Sequence, residues 1–437
     1  MRSQRKRWIV LLAVVAASLS LAGTATTASG RGQGQTLQVW LGGILTTSTS
    51  GTPFRKWVDT QDKLFEKQNP GVNVQITLLP ADNGQLAAKV EAAFTAHSVP
   101  DVMMLYAGAY TTAYQPGLMQ LNKYIDATPG FYKSFVPMTW NFACTNFDCK
   151  NGKGYIMGVP FDLGGFVMFY NKALFKKAGL THPASTFSDL YKQCAVIKGK
   201  GILPMIYGDR DGYATSNMLT SDLVSYFRPG DLQRLLAQKL HFNSPAFISS
   251  LNAIRGLKTH GCINSDASSF GQLNSDNKFA AGAAAMVEGQ PQNLPQFVGA
   301  LGSKVGVWPM PVSGHGPWAH KQAGNAIDNW VIPNGAKNPT LAWKYIQLAT
   351  SKRMQLLEVP ELGSPPSNLA AANSVKDPYV RYFARLTAQA QIPELDQAVP
   401  NQVALVLYRY LNQAFSGALS PSSAMSHVDQ TMAQANH

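Results

Sequence analysis

Charge is sparse in this 437-residue chain: Asp, Glu, Lys and Arg make up only 14% of it, and cysteine occurs four times. So low a charge content, beside 45% hydrophobic residues, excludes a disordered polyelectrolyte and a coiled coil. After residue 30 no apolar run is long enough to cross a bilayer, which excludes a multi-pass membrane protein. No internal repeat marks a solenoid. There is no GxSxG elbow, no HExxH, no Walker A loop and no Cys beside a His, so no local signature points to a hydrolase or nucleotidase. The eight His are scattered without zinc-site spacing, and no metal or cofactor is expected. Basic residues are not interleaved with aromatics in a stripe, which argues against nucleic acid.

What is present begins with the first thirty residues, MRSQRKRWIVLLAVVAASLSLAGTATTASG. Arg2, Arg5, Lys6 and Arg7 precede an apolar stretch from Trp8 to Leu21. Small residues follow, giving the layout of an export signal over residues 1–28. An uncleaved anchor is the alternative, because the apolar stretch is nearly long enough to span a membrane. The formal charge is +13, and loss of those four basic residues would lower it to +9. The remaining Lys and Arg are spread along the chain, as on an ordinary solvated surface. An even number of cysteines in an exported chain implies disulfides. Cys144 and Cys149 are close enough in sequence for a local bridge, leaving Cys194 to pair with Cys262.

Residues 29–35 (SGRGQGQ) read as a flexible leader. TLQVW, VNVQITLLP and VMMLY read as strands separated by the helical patterns around Phe54–Phe65 and GQLAAKVEAAFTAH. A β-α-β-α-β run implies a parallel sheet with crossover helices, its ligand-side loops at the carboxyl ends of the strands. The pattern is expected to repeat through GYIMGVPF, GGFVMFY, ALFKKAGL and ILPMIY. Sheet-like AAAMVEG, KVGVWPMP and AIDNWVIP then precede a mostly helical end. Two α/β lobes with a cleft between them are the simplest arrangement.

The order of these landmarks resembles the extracellular solute-binding proteins of ABC importers, family 1, the maltose-type sugar binders. The similarity runs from about residue 36 to 425 through VW (39–40), NPGVNVQI (69–76), VPDVMML (99–105), GLMQLNKYI (117–125) and GYIMGVP (154–160). It continues through FYNKALFKKAGL (169–180) with HPASTFSDL (182–190), then FAAGAAAMVEG (279–289), VGVWPMP (305–311), KNPTLAWKYIQL (337–348) and GSPPSNLAA (363–371). The resemblance implies an α/β, two-lobed periplasmic-binding-protein-like fold of type II with a multi-crossing hinge. Its first lobe would comprise 36–137 plus 312–350, its second 138–311 plus 351–437. It also implies a monomeric, non-enzymatic capture protein that closes on a carbohydrate outside the cytoplasm and delivers it to an ABC permease. A polyol phosphate or other polar solute, or an exported carbohydrate-active enzyme, is the alternative. Where many members carry a lipidated Cys, this chain has Thr24, so either free release or retention by the apolar stretch is expected.

A sugar site needs aromatic faces for C–H surfaces and fixed polar groups for hydroxyls. Trp40, at the end of the first strand, is either a platform or a core residue. Tyr106 and Tyr110 follow another strand, where the resemblance puts ligand contacts. Asp162 opens the loop after GVPF, and Asp211 and Tyr213 share the loop DRDGY with Arg210, the one cleft-loop arginine an anionic cargo could use. Gln290 stands in QPQN, where many sugar binders have a Trp. Asp328 and Trp330 lie where the chain returns to the first lobe, Trp330 again as platform or core. Asp101 reads as a turn-stabilising residue. Tyr170-Asn171-Lys172 reads as a strand end and helix cap, with Gly179 as the stop.

Overall fold

The computed structural model describes residues 34–42, 53–80, 83–145, 149, 152, 154–319, 321–388 and 390–435. The expected signal, its cleavage sites and Thr24 lie outside them. The chain runs through strands β1 (Gln35–Leu41), β2 (Val72–Leu78), β3 (Val102–Tyr106) and β4 (Gly158–Pro160). It crosses on β5 (Leu163–Gly164) into β6 (Val167–Asn171), β7 (Met286–Gly289) and β8 (Val305–Pro309). It returns through β9 (Gln322–Ala323) and β10 (Asn325–Ala326) to β11 (Asp328–Val331), and β12 (Ala390–Ile392) comes later.

The first lobe is built on a sheet of order β2-β1-β3-β11-β4. β1 pairs in parallel with both neighbours, and the helices Pro53–Gln68 and Asn83–Thr95 make the crossovers. β11 enters antiparallel between β3 and β4. One face of this sheet buries Leu37, Val39, Leu41, Val102, Met104, Val159 and Trp330 against Trp57, Phe65, Tyr345 and Ile346. The other face packs Met103, Leu105 and Val331 on Leu86 and Val90. Asp101 is structural, but not through its own turn: its carboxylate accepts from Gln38 N at 2.9 Å and Asn338 N at 2.9 Å, tying β1 to a distant segment of the chain.

The second lobe departs from the expected repeat. Its sheet, β7-β6-β8, is antiparallel throughout. ILPMIY contributes only isolated bridges from Met205 to Ile263 and Met286. Pro204 in that segment has no N–H to offer a ladder, which disfavours a regular strand. Helices supply most of this lobe's core, where Phe187, Leu190, Leu223, Phe247 and Leu251 meet Leu407, Leu411 and Met425.

The junction after β6 follows the sequence. Asn171 Oδ1 accepts from the backbone N–H of Ala173 at 3.0 Å and of Leu174 at 3.3 Å, capping the helix Lys172–Lys177. Gly179 then takes a left-handed turn at φ 76°. Tyr170 is buried and meets Phe175 edge-on, so this segment is scaffold.

Expected lobe boundaries shift. The described residues between 138 and 160 belong with the first lobe, because β4 pairs with β11 and Trp140, Cys144, Ile156 and Val159 join that lobe's core. The described residues from Val312 to Ala323 stay near the second lobe, since Val312 bridges Thr186 and β9 pairs with β12. The helix Lys352–Leu362 straddles both: Trp57 Nε1 donates to Met354 O at 3.0 Å, while Val359 packs in a second-lobe cluster with Val167 and Phe169. The hinge is thus the antiparallel β5/β10 pair, the β9/β12 pair and the stretch around 350–368.

Both expected disulfides form, with Cα–Cα distances of 6.1 Å for Cys144–Cys149 and 5.0 Å for Cys194–Cys262. The second joins residues 68 apart, so it removes far more unfolded-chain freedom than the first, which joins residues 5 apart. Replacing Cys194 and Cys262 by Ser should lower unfolding free energy by about 2–4 kcal/mol. The same change at Cys144 and Cys149 should cost less in a parallel urea titration.

Candidate functional site

The carboxyl end of β3 brings Tyr106 opposite Asp328 in β11. Phe161 N donates to Asp328 O at 3.0 Å and Asp328 N to Asp162 Oδ1 at 3.3 Å, which places Asp162 beside that pair. Asp162 lies at the mouth of the crossing, where it bridges Pro366. After Tyr106 the chain passes Ala107 and Gly108 into the short helix Ala109–Thr112, which carries Tyr110. Tyr106 and Tyr110 have ring centroids 5.7 Å apart, tilted by 50°.

The second lobe answers with a matching pair. Gly212 begins the helix Tyr213–Leu223, and Tyr213 meets Tyr408 of the helix Asn401–Ser416 with centroids 5.7 Å apart. Gln290 Nε2 donates to Tyr213 Oη at 2.8 Å, and Tyr408 Oη donates to Asp396 Oδ2 at 2.6 Å. Asp396 belongs to the short helix Leu395–Ala398, preceded by Glu394.

Two glycines make this convergence possible. A Cβ on Gly108 (φ 67°) would stand 2.5 Å from the carbonyl oxygen of Gln397, where first-lobe backbone touches the Leu395–Ala398 helix. A Cβ on Gly212 (φ 75°) would stand 1.9 Å from the carbonyl oxygen of Tyr408. Both the positive φ and the close approach require a residue without a side chain.

The interlobe face is therefore tyrosine and carboxylate, not Leu and Val. Asp162, Asp328, Glu394 and Asp396 are all buried. Burial pushes each carboxyl up from its ordinary range; Asp162's charge adds to the shift at Asp328, and Asp396's to that at Glu394. Burial likewise raises the hydroxyls of Tyr106, Tyr110, Tyr213 and Tyr408, with nearby Asp328, Glu394 and Asp396 adding to it. Among the described residues no Lys, Arg or His is buried, and no three His, Cys, Asp or Glu converge closely enough to hold a metal ion. The small cavity beside Tyr106, Tyr110 and Tyr114, about 10 Å³, is walled by first-lobe residues alone, and the lobes touch directly where Gly108 meets the carbonyl of Gln397.

Of the expected site residues, Tyr106, Tyr110, Asp162, Tyr213, Gln290 and Asp328 come together here. Three do not. Trp40 alternates to the opposite sheet face, where it joins Leu86 and Val90 and lies under Lys89 Nζ, 5.3 Å from the ring centroid. Trp330 is on the same face as Asp328 but one pleat deeper, paired with Met104. It is fully buried between Phe161 and Tyr345, with ring centroids 5.8 Å from each. Asp211 points to solvent in an ion pair of 3.1 Å with Arg210, which removes that arginine from the site as well. Sequence reasoning missed Glu394, Asp396 and Tyr408. A signal existed: two acids set among apolar residues between Pro393 and Pro400.

A model of the bacterial extracellular solute-binding protein family matches residues 46–356. The chain belongs to that family. This solute-binding protein is 23% identical to a binding protein of Brucella abortus (strain 2308) over 340 residues, 76% of this chain and 77% of the relative. The sn-glycerol-3-phosphate-binding periplasmic protein of the same organism is 28% identical over 174 residues, 38% of each chain. A solved chitin oligosaccharide binding protein superposes with a TM-score of 0.79 at 19% identity, covering 93% of this chain and 100% of its own. The fold is accordingly the two-lobed one of periplasmic solute binders, and the family places the protein outside the cytoplasm.

The buried acids fix the sign of the pH response. Glu288 is raised from its ordinary 4.5 to about 8, and Asp209 and Asp276 from 3.8 to about 7, in each case chiefly by burial. The folded state thus holds protons that the unfolded chain has released, and stability falls as pH climbs from about 4 through 8. The melting temperature should be higher at pH 5.5 than at pH 8, by at least about 4 °C if two or more of these acids act together. Trp330→Ala should cost about 3–5 kcal/mol in chemical denaturation, as a core deletion does. Tyr408→Phe, which keeps the ring, should cost about 1 kcal/mol.

Proposed function

We propose that this protein captures a carbohydrate between its lobes by hinge closure and hands it, unchanged, to a membrane ABC permease. The observation that carries the reading is the interlobe meeting of two tyrosine pairs with Asp162, Asp328, Glu394, Asp396 and Gln290. Tyrosine rings offer flat faces to the C–H side of a pyranose, and the acids and amide accept and donate to its hydroxyls. Because the lobes touch where Gly108 meets Gln397, ligand enters by opening about the β5/β10 and β9/β12 segments, and it stabilises closure by its differential affinity for the closed form. Family membership and the likeness to a chitin oligosaccharide binder support the sugar class. The protein works as a monomer, released or held at the cell surface.

Similarity to a glycerol-phosphate binder over part of the chain favours a second reading, a phosphorylated polyol. The site's charge opposes it, since a phosphate would face buried acids while Arg210 is occupied with Asp211 at the surface. The paired acids also fit the composition of a glycosidase, but membership of a solute-binding family favours capture over catalysis.

Thermal-shift screening with neutral mono-, di- and trisaccharides should raise apparent stability for at least one, by about 2.7 kcal/mol at a hundredfold excess over Kd. Glycerol 3-phosphate should leave it unchanged. Tyr106→Ala or Tyr213→Ala should weaken the positive ligand by about tenfold or more in calorimetry, with no release of chromophore from aryl glycosides. A response to glycerol 3-phosphate alone would reject the carbohydrate reading.

A further inference from the structure

The interlobe cluster is one-sided in a way that a neutral sugar does not require. Each of its four tyrosines lies within electrostatic reach of Asp396 or Asp328. The acids come as two adjacent pairs, Asp162 with Asp328 and Glu394 with Asp396. Although the chain carries a formal +13, no described cation is buried against either pair. An independent feature points the same way. Several fully or almost fully buried atoms lack any hydrogen-bond partner: both carboxylate oxygens of Asp328, Oε1 of Glu394, Oε1 of Gln397 and Oδ1 of Asn329. Unmet acceptors outnumber the unmet donors of the same cluster, Nδ2 of Asn325 and Oη of Tyr110. Gln397 spends its amide N–H on Ala326 O at 3.3 Å, and Asn329 spends its own on Phe142 O at 2.7 Å and Thr111 Oγ1 at 3.2 Å, while their oxygens meet no donor.

Aromatic rings flanked by carboxylates and unmet acceptors are the surroundings in which an ammonium group is most stable. It supplies three donors and no acceptor, its charge is attracted to ring faces, and it relieves the repulsion within each acid pair. Resting on the carbohydrate reading above, we infer that the cargo is a carbohydrate bearing a protonated amine, such as a glucosamine-containing oligosaccharide, bound with its ammonium between the tyrosine pairs and the Asp328 and Glu394–Asp396 carboxylates. Its hydroxyls take the remaining acceptors and Gln290. This selectivity also gives the closed state a reason to await its ligand. Bringing the acid pairs together without a counter-charge leaves them either protonated or repelling, and the ligand removes that cost.

Calorimetry on the full chain tests this with four probes: the glucosamine disaccharide, its N-acetylated counterpart, galacturonic acid and choline. The free-amine disaccharide should bind at least about tenfold more tightly than the N-acetylated one, and galacturonic acid should not bind. In Asp396→Asn and Glu394→Gln variants that keep wild-type circular dichroism, the two disaccharides should bind alike. Equal or tighter binding of the N-acetylated sugar to the wild type overturns the inference while leaving carbohydrate capture intact, and needs no variant to fold. Preference for the amine that survives both substitutions also overturns it. Binding of choline with neither disaccharide keeps the cation site but rejects the carbohydrate reading, and silence from all four probes rejects the inference outright.

Discussion

Two lobes can meet tightly only if the groups between them accept the loss of water. Here those groups are carboxylates and phenols, whose ionised forms lose most on burial. The backbone N–H of Asp328 donates to the Asp162 carboxylate just beyond the β4/β11 pairing, which holds the two acids together at the edge of the first lobe's sheet. Glu394 and Asp396 are likewise fixed within one turn of chain. Proximity inside each pair is built in, and the only freedom left is whether the pairs face water or each other's lobe. Hinge position, protonation and cargo are therefore linked through one desolvation term.

The scaffold that imposes this was largely readable. The β-α-β-α-β order, the Asn171 cap, the Gly179 stop and the short Cys144–Cys149 bridge each follow from local chemistry, which is what a sequence displays, and Cys194–Cys262 follows as the remaining pair. Tyr106, Asp162 and Asp328 were also legible, because strand ends in an open α/β sheet mark the ligand side. The tryptophans were not. Alternation along β1 and β11 says that neighbours face opposite ways, yet helices cover both faces of this sheet, so Trp40 and Trp330 are each packed against something apolar.

Strand pairing and long-range convergence were hidden for a different reason. The antiparallel order β7-β6-β8 joins segments more than a hundred residues apart, and nothing in GGFVMFY or VGVWPMP states its partner's direction. Tyr408 and Asp396 face Tyr110 through the fold of the last helices, and an acid destined for burial has the same side chain as one destined for solvent. The glycines that admit the contact, Gly108 and Gly212, mark it only once the opposing carbonyls are known.

Each disulfide lies wholly within one lobe: Cys144–Cys149 in the core that contains Trp57 and Trp140, Cys194–Cys262 in the one that contains Phe187 and Phe247. No disulfide spans the gap between them. Oxidation outside the cell can therefore harden the two rigid bodies while leaving the joint free to swing, so resistance to a harsh surrounding and mobility in service are set by separate bonds.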